Sequence, residues 1–277
     1  LYQYAKNAMR LNRPGEAVDA LLQIERQASA LDWDAYGLGL TTAYHLSGMH
    51  RPELVEARRI RARRPELLRA IGEEARALAA LARTEEAIHL LDRALTLPPQ
   101  SGITPADVSV EVAGELSAHG NPELALPALE RAFAWYGGRS AAEQETEAHR
   151  FGLAQALYRA GLWDAADALF QQLSVESPEQ LEYVGYRGVL AVRRGNGPEA
   201  DRIDAALARM DEPYLRGRNT FWRARIAAVA GRPGEATELL RASFAEGQDH
   251  GLALHTETDF APLNRRASFR RLLQPRD

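Results

Sequence analysis

Apolar residues recur along most of the chain at spacings of three and four positions, which is the period of an α-helix. Residues 71–99 illustrate the pattern, because Ile71, Ala75 and Leu78 share one helical face and a second apolar run follows them. Consecutive prolines end that second run, since proline cannot continue a helix interior. The apolar segment 189–192 could form a strand, but it lies in register with these first helices. The pattern therefore predicts pairs of helices throughout.

The helix pairs share a turn in which a small residue is followed five positions later by alanine. These turn and alanine pairs are Ala82 and Ala87, Gly120 and Ala125, Gly161 and Ala166, Gly195 and Ala200, and Gly231 and Ala236. Successive alanines of the series lie 34 to 41 positions apart. Self-similarity at this period is typical of stacked helical repeats, which bury a continuous core between neighbours.

The first 66 residues follow the same pattern less regularly. Asn12 and Ala17 fit one turn, whereas Gly48 is followed by Glu53 or Val55 where the small residue would stand. We therefore expect two degenerate helix pairs in this part of the chain.

Prolines support the same register, because several follow a turn by two to four positions and can open the second helix without losing a hydrogen bond. They are Pro14, Pro52, Pro122, Pro198 and Pro233. Pro127 instead falls inside an apparent helix at 122–135. We expect a kink or a late helix start there.

Residues 153–178, LAQALYRAGLWDAADALFQQLSVESP, carry the repeat in full: small, bulky, Gly, Ala, aromatic, Leu and a closing Pro. This order resembles the tetratricopeptide repeat (TPR), and the resemblance covers essentially the whole chain with about seven copies. It implies an all-α, right-handed superhelical solenoid of helix-turn-helix repeats with a C-terminal capping helix. We expect degenerate repeats at 1–66, regular repeats at 67–246 and the cap at 247–277.

The C-terminal segment from residue 221 onward is similar to the final repeat and end cap of modular bacterial signalling proteins of the serine/threonine kinase or transcriptional activator type. That similarity implies a cytoplasmic interaction or sensing module, and a chain that begins with Leu1 is expected to continue a longer protein. Residues 267–273 carry apolar positions that can cover the last repeat and arginines that can face water. We therefore interpret them as a capping helix rather than a basic binding arm.

Composition narrows the classes of partner. The 277 residues contain no cysteine, which excludes disulfides and thiolate metal sites. A net charge of -4 favours neither nucleic acid nor an anionic membrane, and no apolar run is long enough to span a bilayer. Lys6 is the only lysine. The abundance of arginine is typical of a GC-rich genome, with arginine-mediated anion recognition as the alternative.

Three local patterns suggest chemistry and are each better explained by the repeats. Residues 195–200 match G-x-G-x-x-A, a dinucleotide fingerprint, but they coincide with a repeat turn and lack the surrounding βαβ unit. Carboxylate pairs at four-residue spacing could act as acid and base, but on repeat helices they are expected to be solvated. They are Glu111 with Glu115 and Glu143 with Glu147.

A group of possible metal ligands lies near the C-terminal end and comprises Asp249, His250, His255 and Glu257. The spacing of its two histidines does not place both imidazoles on one helix face. No hydrolase or metalloprotease motif accompanies it. The sequence therefore predicts no metal, no cofactor and no enzymatic activity.

The first helices of TPR pairs line the concave groove, and the register assigns seven side chains to that surface. They are Arg76, Gln155, Tyr158, Arg193, Arg218, Phe221 and Arg225. Four of them are arginines, which bind carboxylates through paired hydrogen bonds. We expect a non-catalytic scaffold that binds a protein or peptide, of acidic character, in this groove. The alternative is a regulatory sensor for a small ligand or signalling peptide.

Overall fold

The computed structural model describes residues 1–27, 33–210 and 212–277, which form an all-α structure without a β-strand. Among these residues no helix has the length and apolar character needed to cross a membrane. Short 3-10 segments span Pro122–Leu124, Pro213–Leu215 and Thr258–Leu263. The α-helices are α1 (Tyr2–Arg10), α2 (Pro14–Gln27), α3 (Trp33–Leu46), α4 (His50–Arg63), α5 (Leu68–Ala80), α6 (Thr84–Ala94), α7 (Pro105–Ala118), α8 (Ala125–Gly137), α9 (Ala141–Gln144), α10 (Glu147–Arg159), α11 (Trp163–Glu176), α12 (Leu181–Arg193), α13 (Gly197–Ala208), α14 (Arg218–Val229), α15 (Pro233–Ala245), α16 (Leu252–Thr256) and α17 (Ala267–Leu273).

The chain divides into two compact units. Unit 1 comprises Leu1–Gly138, His250–Thr256 and Pro275–Asp277, and unit 2 comprises Arg139–Asp249 and Glu257–Gln274. In each unit a first helix packs on the second helix of its pair, as α5 does on α6 and α14 on α15. The sequence also predicts boundaries at residues 66 and 246, which separate the degenerate repeats, the regular repeats and the cap. These boundaries stay a prediction.

Each predicted turn has a left-handed residue at its centre. This residue is glycine at positions 48, 120, 161, 195 and 231, whereas Asn12 (φ 59°) and Ala82 (φ 57°) adopt the conformation at a steric cost. The following residue donates its N–H to the carbonyl five positions earlier, as Arg83 does to Leu78 at 2.9 Å. This bond caps the first helix in the Schellman manner. The interpretation of residues 195–200 as a turn is confirmed.

The five alanines that follow these turns in the regular repeats are all buried. A methyl group at this position lets the two helices of a pair approach closely. In α4 the equivalent position holds Glu53, whose carboxylate is fully buried, while Val55 is 71% exposed. A buried acid therefore replaces the small residue at this one predicted crossing.

The helix at 189–192 is confirmed, since these residues lie within α12. The late start near Pro127 is also confirmed. The 3-10 segment Pro122–Leu124 precedes α8, which begins at Ala125. Pro127 thus lies in the first turn of α8, where its missing N–H leaves no hydrogen bond unmade.

The core of unit 2 is rich in aromatic rings. Tyr186 stacks on Phe170 with ring centroids 4.4 Å apart and meets Trp222 at 4.8 Å. The segment Thr258–Leu263 and α17 pack on α15, and they bury Phe260 and Phe269. The four arginines of this region, at 265, 266, 270 and 271, are exposed. The prediction of a capping helix is confirmed.

Candidate functional site

Arg225 lies at the centre of a buried ion-pair network in unit 2. It is 3% exposed, and its Nε donates to Oδ2 of Asp259 at 2.9 Å. Its Nη2 lies 3.0 Å from Oε2 of Glu257. The guanidinium also sits over the rings of Trp222, at 4.0 Å, and Tyr186, at 4.9 Å. A cation held between two carboxylates and two aromatic faces is enclosed rather than presented to a partner.

Asp259 collects two further residues of the predicted groove. The hydroxyl of Tyr158 donates to Oδ1 of Asp259, and Nη2 of Arg193 lies 3.0 Å from the same oxygen. Burial, reinforced by the charge of Asp259, raises the pKa of Tyr158 well above its ordinary value. Burial likewise raises the pKa of Glu257, against the opposing effect of Arg225. These shifts are typical of a water-excluded network.

The rest of the predicted groove in unit 2 is more open. Phe221 packs edge-on against Phe260, with ring centroids 5.6 Å apart. Gln155 donates its side-chain amide to the Tyr186 hydroxyl at 3.3 Å. Arg218 pairs with Glu182, and its side chain is 46% exposed. The acidic and aromatic segment 257–260 thus occupies much of the predicted groove in cis.

Arg76, the predicted groove residue of unit 1, is also buried. Its Nε donates to Oε1 of Glu53 at 3.0 Å, and its Nη2 donates to Glu73. The hydroxyl of Thr41 donates to the same Glu73 carboxylate at 2.7 Å. Burial alone would lower the pKa of Arg76, but the charges of Glu73 and Glu53, with that of Glu115, raise it. Arg76 therefore organises acids within unit 1 instead of forming an exposed basic surface.

A cluster of histidines adjoins these acids at the ends of α3 and α7. We call His45, Glu53, Glu115 and His119, together with His50, the histidine–glutamate cluster. Nδ1 of His45 lies 3.0 Å from Glu53, and Nε2 lies 3.3 Å from Oε2 of Glu115. Nε2 of His119 lies 3.4 Å from that same Oε2, and Nδ1 of His50 lies 3.1 Å from Glu53. The two carboxylates and three imidazoles form one connected group.

Electrostatics in this cluster shift three pKa values. Burial alone would lower the pKa of His45, but the facing Glu115 and Glu53 raise it to about 9. Burial alone would raise the pKa of Glu53, but His45 and His50 lower it to about 2. Burial alone would also raise the pKa of Glu115, but His119 and His45 lower it to about 2. The cluster thus holds its carboxylates ionised despite their burial.

Sequence reasoning missed this cluster and was wrong about Glu115, which was expected on a solvated face but is 3% exposed. Its partners come from helices far apart in sequence. One local signal could have indicated it, namely Glu53 at the position where other repeats carry alanine. The possible metal ligands near the C-terminal end are divided between the units. His250 and His255 belong to unit 1, whereas Asp249 and Glu257 belong to unit 2.

Comparison with known proteins identifies the fold. No protein-family model matches the chain, and no curated protein matches it. A solved tetratricopeptide repeat protein from Parabacteroides merdae is similar over 95% of this chain and 97% of its own, with a TM-score of 0.53 and 15% identity. The C-terminal part of a TPR repeat-containing protein from Cytophaga hutchinsonii matches over 88% of this chain and 95% of its own, with a TM-score of 0.43 and 13% identity. The chain has the all-α fold of TPR proteins, as the sequence predicts.

Proposed function

We propose that the chain is a non-catalytic protein-interaction module of a bacterial signalling or regulatory protein, acting in the cytoplasm. Its partner is a peptide or domain that binds the open part of the groove in unit 2, around Gln155, Arg193, Arg218 and Phe221. One observation carries the proposal. The groove already holds an acidic and aromatic segment, with Asp259 on arginines and Phe260 on Phe221. That contact supports a partner with the same acidic and aromatic chemistry.

The exposed arginines are the part of this surface that a partner can reach. Arg193 and Arg218 have side chains that are 27% and 46% exposed. A solvent-exposed ion pair contributes little, so an acidic partner can exchange with Glu182 on Arg218 at small cost. The buried Arg225 pair is expensive to break. We therefore assign recognition to Arg193 and Arg218, with Arg225 supporting the groove from beneath.

The test removes both exposed charges and compares capture of acidic peptides. A peptide array probed with the chain selects ligands, and fluorescence anisotropy then measures their Kd. We expect Arg193→Gln with Arg218→Gln to weaken binding strongly. The matched control is Arg202→Gln with Arg241→Gln, which removes the same charge from exposed positions on α13 and α15 of the same unit. Equal binding by both double variants contradicts the basic-groove proposal.

A second function is supported by the histidine–glutamate cluster of unit 1. Regulatory sensors bind a small ligand or signalling peptide and change conformation in response. A buried, charged and partly accessible group of this kind is a suitable ligand site. A change in scattering radius on adding a small ligand, with no protein partner present, would favour the sensor over the scaffold.

A further inference from the structure

We propose that His45, Glu115 and His119 in unit 1 bind a divalent transition-metal ion, for which Zn²⁺ is the reference. The three ligand atoms are Nε2 of His45, Nε2 of His119 and Oε2 of Glu115. All three lie within 4.8 Å of one another. Two imidazoles and one carboxylate form a ligand set that suits zinc and neighbouring ions, with a further position left for water.

The carboxylate of Glu115 supplies an observation independent of the histidines. Its side chain is 4% exposed, and its Oε2 accepts no hydrogen bond although two imidazole nitrogens face it. Nε2 of His45, at 3.3 Å, and Nε2 of His119, at 3.4 Å, face this oxygen without hydrogen-bond geometry, and natural structures contain few buried carboxylate oxygens left in that state. A cation between this oxygen and the two nitrogens would satisfy all three atoms.

The other ring nitrogen of His45 is held in the way that metal-binding histidines are held. Nδ1 of His45 lies 3.0 Å from both carboxylate oxygens of Glu53. Glu53 is itself fully buried, and it accepts from Arg76 at 3.0 Å. A carboxylate on the far nitrogen fixes the tautomer and aims the near nitrogen at the ion. Glu53 is thus a positioning residue, which explains a buried acid at a helix crossing.

The charge of the surrounding group is complementary to a divalent ion. Glu53, Glu73 and Glu115 all act on the one guanidinium of Arg76. Three carboxylates therefore outnumber the one guanidinium in this buried group. Buried charge is stable only when it is paired, so a divalent cation matches the deficit.

The site has a path to solvent. The side chain of His119 is 29% exposed and that of His50 is 19% exposed, which leaves one side of the cluster open. His45 lies in the last turn of α3 and His119 caps α7, and both helices pack on α5. A bound ion would join two helix pairs across a third and would make the stability of unit 1 depend on the metal.

The experiment uses the whole chain, prepared without a histidine tag and stripped of metal with a chelator. Isothermal titration calorimetry with Zn²⁺ measures stoichiometry and Kd, and the visible spectrum of added Co²⁺ reports the ligand geometry. We expect one equivalent to bind the wild type. His119→Ala should weaken binding at least tenfold without unfolding the chain, since this residue is partly exposed. His89→Ala, on the exposed face of α6, is the matched control and should leave the Kd unchanged.

A second variant tests the positioning role. Glu53→Gln should weaken Zn²⁺ binding by about 10–100-fold and alter the Co²⁺ spectrum. Wild-type chain that shows no saturable binding, or His119→Ala that binds as tightly as wild type, overturns the proposal. Because none of these residues lies in unit 2, peptide capture by His119→Ala should equal that of the wild type. The metal site and the peptide groove can therefore fail separately.

Discussion

Arg76 in unit 1 and Arg225 in unit 2 occupy the same position in their repeats and have different surroundings. Each lies six residues before the left-handed turn residue of its pair, Ala82 or Gly231. Both are buried and both bind two carboxylates directly. One register position therefore carries a buried arginine twice in the chain.

The difference lies in the balance of charge and in access to water. In unit 2, Arg225 and Arg193 face Glu257 and Asp259, and aromatic rings enclose Arg225, while Arg193 keeps contact with solvent. In unit 1, Arg76 is outnumbered by acids, and partly exposed histidines border the group. The charge-balanced network of Arg225 holds residues 257–259 in place. The network of Arg76 has an excess of carboxylates and can accept a cation. The same repeat position thus serves folding in unit 2, through Arg225, and borders the proposed metal site in unit 1, through Arg76.

The largest expected effect comes from breaking the network of unit 2. Asp259→Ala leaves the buried Arg225 without its principal carboxylate, and we expect a loss of about 3–5 kcal/mol in the free energy of unfolding. Urea unfolding followed by circular dichroism measures it. The control is Glu182→Ala, which removes the partner of the exposed Arg218 and should cost about 1 kcal/mol or less. Similar losses for the two variants would mean that the buried ion pairs of Asp259 stabilise unit 2 no more than an exposed ion pair does.

Unit 1 should respond to pH in a way that unit 2 does not. The folded state raises the pKa of His45 to about 9, from an ordinary value of 6.5. The proton is therefore bound more tightly after folding, and this stabilisation is present below pH 6.5 and lost as pH rises through about 9. The loss in metal-free chain should reach about 3 kcal/mol at most.

Urea midpoints across that pH window, measured with chelator present, test this expectation. His45→Gln should remove the pH-dependent loss, while Asp259→Ala should retain it. A wild-type midpoint that falls no more than that of His45→Gln would show that the imidazole of His45 gains no proton affinity on folding.

The smallest effect concerns the turns, which also differ between the units. Ala82→Gly should raise the free energy of unfolding by about 1 kcal/mol, because glycine adopts the left-handed conformation without steric cost. Gly161→Ala, with φ 75° in unit 2, should lower it by a similar amount. Gly234→Ala within α15 controls for the intrinsic difference between the two residues and should be slightly stabilising. A loss of stability in Ala82→Gly, or no loss in Gly161→Ala, would contradict the turn assignment.

Local features of the fold could be predicted because they depend on neighbours in sequence. The alanine at position 166 follows its turn by five residues, and helical periodicity alone places it at the crossing. The position of Pro127 predicted a kink or a late helix start, and the apolar positions of residues 267–273 predicted the capping helix. No long-range contact is needed for any of these predictions.

The candidate sites depend on contacts between residues that are distant in sequence, and the repeat register does not predict such contacts. Register placed Arg225 on the first-helix surface, but it could not show that Asp259, from the C-terminal segment, covers it. Glu115 and His45 meet only because α3 and α7 both pack on α5. Glu53 could be seen as an irregularity in the repeat. Its reason became visible only beside His45.

Anomalous X-ray diffraction at the zinc edge, from crystals of the chain grown with Zn²⁺, tests the central comparison most directly. We predict one anomalous peak in unit 1, about 2.0–2.2 Å from Nε2 of His45, Nε2 of His119 and a carboxylate oxygen of Glu115. We predict none beside Arg225 in unit 2. A map with no peak at the histidines, with Nε2 of His45 hydrogen-bonded to Glu115 instead, would contradict the account.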